Sequence, residues 1–347
     1  MRRTTAPVSA IVTIRDVAMR AKVSPSSVSN ALTGRRPVSE ATRRRVQKAV
    51  KQLGYYPNML ARSLVNRRSN TLGVVTWGLE YFGPSRTLAG IERQANEYGY
   101  SLLLNLLHRP DESNVTPSLT ALTARRVDGV IWAVPEVGKN RSWISRELLK
   151  RLPPTVFLTM GAQPRLRVVA IDNRAGAALA VQHMVDRGRR KIGLVTGPMD
   201  WWEARERHAG WQEALHLAGL EVSESLVIEG DWSPDSGERR LRRLLAQRPD
   251  IDGVFVSNDQ MALGALRVAH EMSQRVPQDL AIVGFDNIPE SAYFWPPLTT
   301  VSHPLMELGR IAVQKLHKII ETGRNDRGND DSSATMLGPM LVVRESS

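Results

Sequence analysis

The residues of this 347-residue chain that can meet a polyanion are concentrated at one end. Up to Asn70 it holds fifteen Lys and Arg against two acids, Asp16 and Glu40, and the remainder carries nearly equal numbers of each sign. The whole net charge of +12 therefore resides in the head. A basic head on a neutral body is the electrostatic footprint of a module that neutralises nucleic-acid phosphates. A second set of residues suits a different chemistry. Trp77, Arg207, Trp232, Asn258 and Asp286 all stand beyond short apolar runs. Planar polar groups pair with vicinal hydroxyls and an indole face takes the C–H side of a pyranose, so an aromatic platform beside Asp, Asn and Arg suits a saccharide. Catalysis has no comparable set. The seven histidines, His108, His183, His208, His216, His270, His303 and His317, show no metal-ligand spacing, and there is no G-x-S-x-G elbow or P-loop. Gly197–Asp200 reads as a plain strand-to-helix turn. The absence of cysteine removes disulfides, thiol catalysis and Cys-type metal sites. No enzyme and no cofactor are expected. His303 is open between a cleft residue and a structural one.

The basic head is patterned rather than disordered. Thr13 and Asp16 form a capping pattern, and Ile14, Val17, Ala18 and Ala21 recur at helical spacing behind it. After a break at Lys22–Val23, Ser24 can cap a second helix with Pro25 in its first turn, and Val28, Ala31 and Leu32 supply its inner face. Ser26, Ser27, Ser29 and Asn30 then point outward. A third helix starts at Ser39, carries Val46, Ala49, Val50 and Leu53 on one face, and stops at Gly54. Arg43, Arg44, Arg45, Lys48 and Lys51 lie on or flank its other faces. Two short helices joined by a tight turn form the helix-turn-helix plan, in which the second helix enters the major groove of double-stranded DNA.

The body alternates short apolar runs with helix-patterned segments. The runs are Asn70–Val75, Ser101–Leu107, Gly129–Val134, Thr155–Thr159, Val168–Ile171, Ile192–Thr196, Gly253–Val256 and Ala281–Phe285. The helical segments include Leu88–Tyr98, Ala175–Arg187, Glu203–Ala218, Glu238–Gln247 and Gln260–Glu271. Alternation predicts parallel sheets, and the number of units predicts two similar subdomains. Trp132, Trp143 and Trp211 read as core packing, Asp259 as the cap of the next helix, and Arg205 as a solvated salt-bridge partner. Trp201 and Trp202 are assigned to neither role. No apolar run reaches the length of a membrane span, and Val8–Val12 is too short for a signal-peptide core, so the chain is expected in the cytoplasm.

The chain resembles the lactose/galactose-repressor family of bacterial transcription regulators. The resemblance rests on TIRDVA at Thr13–Ala18, VSPSSVS at Val23–Ser29, VSEATR at Val38–Arg43, LGYYPN at Leu53–Asn58 and MLARSL at Met59–Leu64, and it continues over nearly the whole chain. It implies an N-terminal all-α helix-turn-helix domain plus an α/β periplasmic-binding-protein-like core of two doubly wound subdomains. The expected boundaries are a disordered arm at 1–12, the DNA-binding domain at 13–57, a hinge helix and linker at 58–68, and an effector-binding core at 69–347. Within that core the N-subdomain is expected at about 69–171 and 303–330, and the C-subdomain at about 172–302 and 331–347. The segment Gly323–Ser333 reads as an exposed loop, not a tetramerisation tail.

The resemblance further implies DNA contacts at Thr13, Ser24, Pro25, Ser26, Ser27, Ser29 and Asn30. It makes Met59–Leu64 a hinge helix in which Leu64 is an apolar wedge at the operator centre and Ala61 its small neighbour on the minor-groove floor. In the core it matches Arg207, Asn258, Asp286 and Trp232 to effector-contacting positions and places Trp77 at another cleft-facing one. The implied function is that of a homodimeric, sugar-responsive repressor released from a pseudo-palindromic operator by a saccharide or glycoside. Two alternatives stay open: a corepressor-type regulator that binds a nucleobase or other small metabolite, and a sugar-binding protein or enzyme with an acquired basic head.

Overall fold

The computed structural model describes residues 12–34, 36–56, 68–323 and 334–347. The chain divides into two compact units, one ending at Ser69 and one beginning at Asn70. The first contains α1 (Ile14–Ala21), α2 (Pro25–Thr33) and α3 (Glu40–Leu53). The Asp16 carboxylate accepts from the backbone N–H and the hydroxyl of Thr13, both at 2.8 Å, and these bonds hold its pKa below the usual range. The side chains of Ser24 and Ser39 cap α2 and α3, and Gly34 and Gly54 end those helices with a positive φ. Val17, Ala18, Ala21, Val28, Val46, Ala49 and Tyr55 form the core of this unit, and Val12 packs against it. Val12 therefore belongs to the folded head and not to the expected arm. The expected hinge helix, with Ala61 and Leu64, lies outside the described residues, as does nearly all of the Gly323–Ser333 loop.

The second unit opens with β1 (Thr71–Thr76), α4 (Phe82–Glu97), β2 (Ser101–Leu106), α5 (Thr116–Ala124), β3 (Gly129–Ala133), α6 (Arg146–Arg151), β4 (Thr155–Leu158) and β5 (Val168–Ile171). It continues with α7 (Asn173–Asp186), β6 (Ile192–Thr196), α8 (Trp202–Leu217), β7 (Val227–Glu229), α9 (Pro234–Gln247), β8 (Gly253–Val256), α10 (Asp259–Glu271), β9 (Ala281–Asp286) and β10 (Thr299–Ser302). Last come α11 (Leu305–Thr322), β11 (Thr335–Leu337) and β12 (Met340–Val342). The strands form two six-stranded sheets, ordered β2-β1-β3-β4-β5-β11 and β7-β6-β8-β9-β10-β12. Every pairing is parallel except β10 with β12. The two orders are the same, with a switch point between β1 and β3 in one sheet and between β6 and β8 in the other.

The chain passes from one sheet to the other after β5, after β10 and again between β11 and β12. The last passage corrects an expected boundary. Residues 335–337 pair with β5 and belong to the first sheet, so the second subdomain's share of the tail begins near β12 rather than at 331. A three-residue edge strand has too little periodicity to announce which sheet it joins. One close approach matters for the site. A Cβ on Gly264 would collide with the Pro234 carbonyl, and one on Gly237 with the Met261 carbonyl. Helices α9 and α10 therefore touch backbone to backbone, and their first turns, beside Trp232 and Asn258, are drawn together.

Candidate functional site

Two sites are built from the same sequence logic. On the head, Val28 is fully buried and turns α2 so that Ser26 and Ser29 are exposed and Ser27 and Asn30 are half-buried. The Ser24 hydroxyl accepts the Ser27 N–H at 3.1 Å and lies 2.8 and 2.9 Å from the hydroxyls of Ser26 and Ser27. The helix start is therefore ringed with hydroxyls, and Thr13 and Pro25 are exposed nearby on the same unit. Arg15, Arg20, Lys22, Arg44, Arg45, Lys48 and Lys51 are exposed on this unit as well. Short hydroxyl and amide side chains at a helix start, surrounded by cations, are the parts needed for base-edge contacts flanked by phosphate contacts.

In the second unit, a cleft lies between the two sheets, at the carboxyl ends of their strands. Its wall includes Trp77 beyond β1, Pro135 beyond β3, Thr159 beyond β4, Asn173 beyond β5 and Trp201 beyond β6. Trp232 beyond β7, Asn258 beyond β8, Asp286 at the end of β9 and His303 beyond β10 complete it. Ligands of open α/β sheets bind in this position because the strand order diverges there and leaves a crevice. All five residues expected to meet an effector, Trp77, Arg207, Trp232, Asn258 and Asp286, line this one cleft.

The centre of the cleft is ionic. Arg207 is 6% exposed; its Nε donates to Asn173 Oδ1 at 2.8 Å and its Nη1 to the Ser257 carbonyl. The guanidinium lies 3.7 Å from the centre of the Phe285 ring, 5.6 Å from that of Trp232, and 3.9 Å from Asp286 Oδ1. Burial pushes its pKa down, while Asp286 and Glu203 hold it up. His303 Nε2 is 3.2 Å from Asp286 Oδ1 but is not aligned for a hydrogen bond. Neither ring nitrogen of His303 has a hydrogen-bond partner. Glu203 is pushed up to about 7 by burial, and its Oε2 is buried without a hydrogen-bond partner, as is Nε1 of Trp232. Unpaired polar atoms gathered in one pocket are the expected residue of a ligand's hydrogen-bonding groups.

The backbone is strained at the same place. Thr159, Trp232 and Asp286 have φ of +51°, +73° and +118°, values that side chains bearing a Cβ rarely adopt. Asn258 has a double role. Its Nδ2 donates to the Trp232 carbonyl at 3.0 Å and its Oδ1 accepts from Met261 N at 2.9 Å, so it caps α10 and fixes the Trp232 loop. Asp259 is not the cap that the sequence suggested. It is fully buried and accepts from the Ile288 N–H and the Thr300 hydroxyl, which ties the start of α10 to the loop after β9. Arg205 is the partly exposed salt-bridge partner that the sequence suggested: it reaches Glu136 Oε1 at 3.2 Å on the other subdomain and the Asp200 carbonyl at 2.7 Å.

Glu203, Asn173 and Gln260 line the cleft and were not anticipated. The signal available for Glu203 was the run Trp201–Trp202–Glu203 at the start of the helix that carries Arg207. Trp201, left unassigned by the sequence, faces the cleft. Trp132 and Trp211 are buried in the cores and Trp143 is partly buried against one of them, as expected. Among the described residues no helix is long and apolar enough to cross a membrane.

Comparison with known proteins bears on the family and on the fold of both units. Residues 13–58 match the family model of bacterial regulatory proteins, lacI family, and residues 181–347 match that of a periplasmic binding protein-like domain. The ribose operon repressor of Escherichia coli (strain K12) is 35% identical over 315 residues, covering 90% of this chain and 94% of the relative. The HTH-type transcriptional repressor PurR of Haemophilus influenzae is 33% identical over 340 residues, covering 97% and 98%. A crystal structure of the lac repressor dimer bound to operator and the anti-inducer ONPF superposes with a TM-score of 0.87 at 31% identity, covering 96% of this chain and 98% of that one. A complex of the transcriptional regulator CelR with cellobiose has a TM-score of 0.68 at 31% identity, covering 97% and 100%. The head, the paired α/β subdomains and relatives along nearly its full length together show that the chain belongs to the lacI family of bacterial regulatory proteins and is a ligand-responsive, DNA-binding transcriptional repressor.

Proposed function

We propose that the ligand is a saccharide, that it binds at Arg207 and Asp286, and that its binding releases a homodimer of this chain from a pseudo-palindromic operator in the cytoplasm. The observation that carries this reading is the composition of the cleft. An ionic pair, the unpartnered Glu203 Oε2, His303 nitrogens and Trp232 Nε1, and indole walls stand around one crevice. Hydroxyls can donate to the carboxylates, accept from the guanidinium and indole, and satisfy both sides of such a site. The family supports the rest. One relative is named for the ribose operon, one similar structure holds cellobiose, and another is a dimer on operator DNA. Operator DNA is read by α2 through Ser26, Ser27 and Asn30, with Thr13, Ser24, Pro25 and Ser29 beside them, and Leu64 and Ala61 are assigned to the minor groove.

The test is operator binding by the full chain, with the operator obtained by binding-site selection, against a panel of sugars and nucleobases. A sugar is expected to weaken operator binding, and Asp286→Asn is expected to abolish the response while leaving operator affinity without sugar unchanged. Loss of one charged hydrogen-bond partner should cost about 1–3 kcal/mol of sugar affinity. A purine that strengthens operator binding, with no sugar acting, would replace this reading by that of a corepressor.

A further inference from the structure

Four cations of the first subdomain are gathered around one cavity. Arg146 and Lys150 are four residues apart on α6 and so share a face of it. Arg165 and Arg167 lie in the segment that leads into β5. All four line a cavity of about 390 Å³, and no residue of its lining is acidic. The one acid of α6, Glu147, is exposed and outside the lining. Elsewhere in this unit arginines meet counter-charges: Arg109 with Asp111, Arg174 with Glu213, Arg248 with Glu221 and Asp250, and Arg275 with Asp279. Among the described residues Arg146, Lys150 and Arg165 have no such partner. Like charges at i and i+4 of a helix repel, and Arg165 holds a φ of +67°, which a residue bearing a Cβ rarely adopts. The fold thus keeps an arrangement that an anion would relieve. The floor beneath the cations is apolar: Phe157 and Leu166 are buried in the core cluster of this subdomain, and Leu149 packs against it. The cavity shares no lining residue with the effector cleft.

We propose that this cavity is a second ligand site, which takes a phosphomonoester carried on an aromatic or apolar body, as in a nucleoside monophosphate. The phosphate lies among Arg146, Lys150 and Arg165, and the body rests on Leu149, Phe157 and Leu166. A phosphate dianion offers three oxygens and more than one charge, so it can meet cations that stand on separate elements. Guanidinium groups grip it bidentately, and the ammonium of Lys150 adds a point charge. An uncharged ligand would leave the cations uncompensated, and a wholly polar one would leave the apolar floor uncovered. The site does not depend on what the effector cleft binds. It is joined to that cleft through one strand: Phe157 belongs to β4, and the next two residues, Leu158 and Thr159, line the cleft.

The experiment is titration calorimetry of the full chain, at fixed ionic strength, with AMP, phenyl phosphate, glycerol 3-phosphate, inorganic phosphate and adenosine. AMP or phenyl phosphate is expected to bind at least about ten-fold more tightly than inorganic phosphate, glycerol 3-phosphate and adenosine. Which of the two binds better decides between a nucleotide and a simpler aromatic ester. Arg165→Glu and Lys150→Glu are each expected to weaken that ligand at least about ten-fold and to leave operator affinity without it unchanged. Both side chains are exposed, and thermal melting without ligand separates misfolding from a lost contact. Cations of the head attract phosphates too, so Lys48→Glu serves as the control and is expected to leave the affinity as it is. The inference is overturned if none of the phosphates binds, or if binding survives both charge reversals, which would place the anion on the head or in the cleft. It is also overturned if adenosine binds as tightly as AMP, since the phosphate is then not read, or if inorganic phosphate matches both esters, since the floor then adds nothing.

Discussion

Asp286 sits in a strained backbone conformation beside the Arg207 guanidinium, which lies 3.9 Å from its Oδ1. Its φ of +118° is glycine territory, and the neighbouring Asn287 is also positive at +52°. Single residues in such regions cost on the order of 1–3 kcal/mol. Asp286→Gly should therefore melt above Asp286→Ala, since both lose the carboxylate beside Arg207 and only the glycine relieves the backbone, while both variants lose the sugar response. Melting temperatures of the three proteins check this, and a glycine variant less stable than the alanine one would show that the backbone is not strained. Asp259 supplies a second residue-scale test. Burial first, and then the nearby Asp286, push its pKa up to about 8, against the opposing pull of Thr300, Ile288 and Arg344. An unfolded Asp ionises near pH 4, so between there and about 8 the unfolded chain gives up a proton that the folded one keeps, and stability falls as pH rises through that window. Asp259→Asn removes this term. Its melting temperature relative to the parent should rise steadily from about pH 5 to about pH 8, and a constant difference would mean that Asp259 is ionised in the fold.

At the scale of elements, α2 is the most exposed to a decisive measurement. Val28 fixes its rotation, and the Ser24 cap fixes where it starts. Asn30 then stands half-buried among otherwise hydroxyl-bearing outward residues, with an amide able to pair with adenine in two places. Asn30→Ala should cost about 1–3 kcal/mol on the preferred operator and relax preference at one base pair. Site selection with the variant checks it, and an unchanged preference would remove Asn30 from base readout. The elements themselves were largely legible. Caps at Thr13, Ser24 and Ser39 and glycine stops announce their own geometry, and strands buried on both faces read as apolar runs. What was not legible depended on contacts between distant segments. The cap of α10 moved from Asp259 to Asn258 because Asp259 is claimed by Ile288 and Thr300, far along the chain. Arg205 found its partner Glu136 across the cleft. Trp201 and Trp202 follow one another in sequence yet serve different bodies, a division that periodicity does not reveal.

That division bears on the whole effector-binding unit. Trp202 starts a helix of the second subdomain, but its ring belongs to the buried cluster of the first. Around it the subdomains are laced together by the bridge between Val137 and Trp201, by the Gly138 N–H to the Asp200 carbonyl at 2.8 Å, and by the Trp202 N–H to the Glu136 carbonyl at 2.9 Å. The Glu136–Arg205 ion pair closes the same seam, with its side chains 18% and 39% exposed. Backbone bonds tolerate side-chain changes, so the ion pair is the part of this clasp that substitution can tune. A ligand gripping both walls binds most tightly to a unit that is already closed, since any opening lowers the competent fraction. Arg205→Ala should therefore weaken sugar binding a few-fold, in keeping with about 0.5–1 kcal/mol for a pair of this exposure, although Arg205 itself is not among the residues proposed to touch the sugar. If the loss comes from the clasp, Glu136→Gln should weaken binding similarly, and the double variant should lose little more than either single one. Calorimetry on the four proteins closes the cycle. Losses that add in full would mean that the two side chains act independently and that the seam is held by its backbone bonds and Trp202 alone.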